Sequence, residues 1–201
     1  MYRPLNMSAR NLTLAFFSPQ PGDDWVNRLV ARASEFPYCH VELYFEGTNQ
    51  CFSILWKDTA KLRVKTLQSD CYEIVSLAVS LKEYDACYAF CQQAAAKQIP
   101  FDNLGMYMSY FYLPGCGGEH EGFDKKTYCS KIICQALHSA GIEEVGKRYA
   151  FTATPSRLYK DIMHSKRRVC ASVPYKRYSL AHQNGIKFGK KMYVRLDNVF
   201  M

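Results

Sequence analysis

The sequence predicts an α+β domain in which an antiparallel sheet carries a helix that begins with a cysteine. Three observations lead there. Residues 39–45 (Cys-His-Val-Glu-Leu-Tyr-Phe) alternate in character, with His40, Glu42 and Tyr44 on one face and Val41, Leu43 and Phe45 on the other. Further runs of strand character follow at 51–56, 61–66 and 72–79 with only turn-forming sequence between them, the spacing of antiparallel neighbours. Residues 127–141 then change period: Ile132, Ile133, Ala136, Leu137 and Ala140 form one apolar stripe at helical spacing, and Gly141 can end the helix in a left-handed conformation.

Taken in order, Leu12 to Phe17 reads as a buried strand, and Ser18-Pro19-Gln20-Pro21-Gly22 as a turn. Asp23 or Asp24 can cap a helix that carries Trp25, Val26, Leu29, Val30 and Ala33 on one face and ends at Glu35-Phe36-Pro37. Glu46-Gly47-Thr48-Asn49 is a hairpin turn between the strand that starts at Cys39 and its return. Ser80 caps a helix from about Leu81 to Lys97, with Tyr84, Cys87, Tyr88, Cys91 and Ala95 inward. Residues 103–112 are rich in aromatics and Met, a composition able to wall an apolar pocket. Residues 114–122 form a glycine-rich loop leading into the cysteine helix, which Thr127 can cap. Thr154-Pro155-Ser156 opens another helix to Met163, and Lys191 to Leu196 reads as a last strand.

The 201 residues fit one domain, placed at 1–165, with a basic extension at 166–201 that can belong to it. No apolar run is long enough to span a bilayer, and the first ten residues lack the apolar stretch of a signal peptide. Nine cysteines, an odd number without a repeating spacing, then read as reduced thiols of an intracellular protein, in cytoplasm or nucleus. The formal charge is +8. From Arg157 onward eleven Lys or Arg face only Asp161 and Asp197, which suits an acidic partner: nucleic acid, an anionic membrane or another protein.

A cysteine in the first turn of a helix feels its positive end, which favours the thiolate. Cys129 holds that position and shares the buried side with Ile132 and Ile133; the same place equally suits a plain core cysteine. Thiol hydrolysis also needs a histidine. His138 is nine residues along the same helix, too far to reach, and His164 and His182 lie in basic, weakly patterned sequence. His120 sits in the glycine-rich loop, whereas His40 sits on a strand that fixes its direction. A second grouping, Cys87 and Cys91 on one helix face with Cys116 and His120 in the loop, has the residue types of a zinc site, although Cys87 and Cys91 fit the apolar stripe as well.

Cys39-His40-Val41-Glu42-Leu43-Tyr44-Phe45 resembles the histidine strand of the circularly permuted NlpC/P60 proteins, a papain-like superfamily, and Thr127-Tyr128-Cys129-Ser130-Lys131-Ile132-Ile133 resembles their cysteine helix. The histidine precedes the cysteine, as in that permuted branch, and the likeness to its poxviral and YiiX-like members runs over about residues 10–165. The resemblance implies a thiol hydrolase acting on an amide, ester or thioester, with a peptide or a lipid ester as substrate and no cofactor. Cys129 is then the nucleophile and His40 the base, with Tyr128 and the Cys129 N–H near the oxyanion. The group behind the histidine is open between Ser53 and Glu42. Ser53 lacks a carboxylate, and Glu42 is two residues along the strand, about 7 Å away. The alternative is a non-catalytic structural or interaction protein on the same fold, with its basic C-terminal surface at work, as in a virus particle.

Overall fold

A computed structural model describes residues 9–67, 71–110, 125–142 and 153–171. In chain order these form β1 (Ala9–Phe17), α1 (Trp25–Arg32), β2 (His40–Phe45), β3 (Gln50–Ser53), β4 (Lys61–Val64), β5 (Tyr72–Ser80), α2 (Leu81–Ala96), α3 (Asn103–Met108), α4 (Cys129–Ser139), α5 (Pro155–His164) and β6 (Arg168–Ala171). The strands make one antiparallel sheet in the order β4-β3-β2-β1-β5-β6. The protein is therefore mixed α and β, with α2 and α4 packed against the sheet. Among the described residues no helix is long and apolar enough to cross a membrane.

The period-2 patterns fix which side of the sheet is covered. Val41, Leu43 and Phe45 on β2 are fully buried, together with Leu12, Leu14 and Phe16 on β1 and Leu77 on β5. They share one apolar cluster with Cys87, Cys91 and Ala94 from α2 and Ile132, Ile133, Ala136 and Leu137 from α4. The two α2 cysteines thus fill core positions. Cys116 and His120, the other half of the zinc grouping, lie outside the described residues, and among the described residues no group of three potential ligands could hold a metal ion.

Local chemistry sets the helix ends. Asp24 accepts the Val26 N–H at the start of α1, and Ser80 and Glu83 form a reciprocal capping box at the start of α2. Thr154 caps α5. Thr127 does not cap α4. Tyr128 occupies the N-cap without a side-chain bond, because Thr127 is drawn into a bridge with Phe101: its N–H donates to the Pro100 carbonyl and its own carbonyl accepts from Asp102. At the other end, the Ile142 N–H reaches the Leu137 carbonyl and the Gly141 N–H the His138 carbonyl, closing a Schellman motif around Gly141 at φ 76°.

Two other sequence expectations meet the structure differently. The apolar face of α1 is not sunk into the core: Ala31 alone is buried on that helix, while Trp25 and Leu29 are exposed. The sheet continues past residue 165, since β6 pairs with β5 at Ser76–Cys170 and Val75–Ala171. The strand expected at 191–196, like all of the basic stretch after residue 171, lies outside the described residues.

Gly141→Ala is expected to destabilise the fold by about 1–2 kcal/mol, the cost of a Cβ in the left-handed region, because no neighbouring atom would collide with the added methyl. Urea denaturation measures it; an unchanged midpoint would show that the left-handed turn does not hold α4.

Candidate active site

The N-terminus of α4 meets the start of β2, and this junction brings Cys129 to His40. The thiol and the imidazole line one cleft, close enough for the ring's charge and a hydrogen bond to act on the sulfur together with the backbone N–H groups of Val41 and Ser130. Each group answers a different part of the sequence: Cys129 is the first residue of α4, and His40 the first of β2. Because no side chain caps α4 at Tyr128, the positive end of the helix is left facing the sulfur.

Behind the ring stand both groups that the sequence left open. His40 Nε2 lies 3.2 Å from Ser53 Oγ and 3.3 Å from Glu42 Oε1. The 7 Å strand spacing does not keep Glu42 away, because two long side chains leaning along one strand close the gap. Leu43 pairs with Phe52, which sets Ser53 across from Glu42 on the same face of the sheet. The Ser53 hydroxyl donates to the Val41 carbonyl at 2.9 Å, so its lone pairs are left to accept from the ring. Nε2 therefore carries a hydrogen shared between Ser53 and Glu42, and Nδ1 is the nitrogen left for the thiol.

The charges reinforce one another. Burial pushes the Cys129 thiol up, but the His40 charge and hydrogen bond, with the two backbone N–H groups, outweigh it and hold the thiol below its ordinary value. Burial likewise opposes charge on His40; Cys129 and then Glu42 overcome it and raise the imidazole to about 9. Burial also works against a charged Glu42, yet His40 and Lys65 bring its carboxyl down to about 2. The directions agree: each shift favours a thiolate on Cys129, a charged His40 and a charged Glu42 in one row. The other cysteines nearby behave oppositely: burial, with the Cys129 charge added, raises Cys39, and burial with the Glu42 charge raises Cys51 to about 12.

Several contributors were not read from the sequence. Lys65 Nζ lies 2.7 Å from Glu42 Oε1 and 2.6 Å from the Tyr72 hydroxyl, which itself reaches Glu42 at 3.4 Å. Tyr110 feels the Cys129 charge. None of these has a local signature; Lys65 arrives just after β4 and Tyr72 at the start of β5, and only the sheet order brings them together. Tyr128 is buried with its hydroxyl bonded to Ser109, so its backbone rather than its ring adjoins the thiol. Of the other histidines, His138 and His164 are exposed at helix ends, and His120 and His182 lie outside the described residues.

The row opens into a cleft of about 90 Å³. Cys129, His40, Glu42, Lys65 and Tyr72 form its polar end, and Phe17, Ile54, Leu55, Phe101 and Met106 its apolar wall. The chain matches no protein-family model, no curated protein and no solved structure.

Glu42→Gln should lower the His40 titration midpoint from about 9 toward the ordinary 6.5, because the amide cannot balance the imidazolium charge. Ring-proton NMR over pH 5–10 checks it (a range about the quoted values). A midpoint unchanged by the substitution would remove Glu42 from the row. In the parent, the stability contributed by charged His40 is whole below 6.5 and lost as pH rises through about 9, whereas that from Glu42 is whole above 4.5 and lost as pH falls through about 2.

Proposed function

We propose that the protein is a thiol hydrolase of the permuted papain-like kind, cleaving an amide, ester or thioester through an acyl-enzyme at Cys129. The observation that carries this reading is the Cys129 thiol bonded to a His40 ring that is itself held by Glu42 and Ser53. A nucleophile, a base and a group that orients the base are the parts that acyl transfer through sulfur requires.

In this reaction the Cys129 thiolate attacks the substrate carbonyl and forms a C–S bond, and the carbonyl oxygen takes the negative charge beside the positive end of α4. The tetrahedral species collapses as the bond to the leaving group breaks. His40 gives its Nδ1 proton to that group, having held it since the ion pair formed. Water then enters; His40 takes one of its protons, the hydroxide adds to the thioester, and the thiolate leaves. Ser53 and Glu42 hold Nε2–H through both halves, so the ring does not turn away when it is neutral. Lys65 and Tyr72 keep the carboxylate in place.

Incubation with a p-nitrophenyl acyl ester followed by intact-protein mass spectrometry should show one acyl group added, mapped to Cys129. Cys129→Ala should show none. His40→Asn should slow adduct formation by about 10²–10⁴-fold. A folded parent protein that gains no acyl group, or gains it equally in Cys129→Ala, would leave the non-catalytic binding reading instead.

A further inference from the structure

We infer that α1 and α3 form a docking surface that sets the mouth of the Cys129 cleft against an anionic lipid bilayer. Each helix sends one residue into the cleft, Asn27 from α1 and Met106 from α3, so both stand at its rim. Each also turns large apolar side chains outward. Trp25 is 66% exposed and Leu29 56% on α1, and Leu104 is 71% exposed on α3, with Tyr107 and Met108 beside it. Five of the eight large exposed apolar residues among those described thus come from two helices that hold only fourteen residues between them.

The charges say what covers this surface. On α1 the exposed stripe is Trp25, Arg28, Leu29 and Arg32, spaced i, i+3, i+4 and i+7, with the cations along one flank of the apolar ridge. Beside α3, exposed Lys57 lies over the Trp56 ring, whose N–H is bonded to Asn103 at the start of that helix. Neither helix contains an Asp or Glu. Of the flanking carboxylates, Asp58 is paired with Lys61 and Arg63 and Glu35 with Lys160, while Asp23, Asp24 and Asp102 accept backbone N–H groups and keep their charge. Trp and Leu beside Arg on one helical stripe is the composition of an interfacial helix: the apolar ridge enters the acyl boundary and the cations meet lipid phosphates. The chain's own residues 172–201 are basic and would be repelled by this stripe. An acidic protein would satisfy the arginines and leave the Trp–Leu ridge unmatched. Docked this way, the cleft receives carbonyl groups presented from the bilayer; that consequence rests on the hydrolase reading, and the docking itself does not.

The test uses the full chain carrying Cys129→Ala, so that binding is read without turnover. Vesicles of phosphatidylcholine alone are compared with vesicles containing about one third phosphatidylserine, and the readout is Trp25 emission, isolated by subtracting the Trp25→Phe spectrum. Anionic vesicles should shift that emission to the blue, and lipids brominated in their acyl chains should quench it. Leu29→Ser with Leu104→Ser should weaken the binding more than about tenfold. Arg28→Gln with Arg32→Gln should weaken it as well and flatten its dependence on salt. Vesicle binding with an unshifted Trp25 would place the contact elsewhere, as on the basic tail, and would overturn the proposal. So would affinity unchanged by both double substitutions. Acyl labelling of the parent by a water-soluble ester is read separately, so failure of the docking surface and failure of the hydrolase reading give different results.

Discussion

A buried thiol and a half-buried imidazole beside it hold charge only if something replaces the water they have lost. In this protein the replacement comes from two directions. The backbone supplies part: the Val41 and Ser130 N–H groups point at the Cys129 sulfur at the positive end of α4. A carboxylate supplies the rest, through Glu42 on the far side of the His40 ring. Without such partners burial raises a thiol, as it does at Cys134. The thiolate–imidazolium pair is therefore a property of the junction between α4 and β2, not of the cysteine alone.

The fold serves that junction. β2 lies inside the sheet between β1 and β3, so the strand that begins with His40 is held on both edges. From β3 comes Ser53, and from β5 comes Tyr72, with Lys65 just beyond β4. Under the sheet, Ile132, Ile133 and Leu137 anchor α4 in the shared core, so Cys129 projects from a rigid element rather than from a loop. The rigid support extends to the base: Ser53 is fixed by its own bond to the Val41 carbonyl, and Glu42 by Lys65. Positioning of this kind is what a nucleophile and its base need before a substrate arrives.

Much of this was legible in the sequence because it depends on period and on caps. The alternation at 40–45 located the strand and its buried face, and Ser80 located the start of α2. The 3.6-residue stripe and Gly141 located α4 and its end. What the sequence could not yield were contacts set by register or by competition. Backbone spacing left the choice between Glu42 and Ser53 open, and only side-chain geometry brings Glu42 to 3.3 Å from His40. Thr127 had the chemistry of a cap but was taken by a bridge to Phe101. The α1 stripe had core periodicity, yet its Trp25 and Leu29 face outward; amphipathic spacing says that a helix has an apolar face, not what that face meets.

Central to the account is a Cys129 sulfur that is ionised at neutral pH because His40 is charged beside it. Carboxamidomethylation by iodoacetamide across pH 4–10 (a range about the ordinary thiol value), with each cysteine quantified by peptide mass spectrometry, tests it most directly. Cys39, Cys51 and Cys134 serve as internal references, since their thiols are raised. The account predicts that Cys129 alkylation stays fast well below the pH at which an ordinary thiol is protonated, with its apparent midpoint moving up in His40→Asn. An alkylation midpoint for Cys129 at or above the ordinary value of 9.0, the same in parent and His40→Asn, would contradict it.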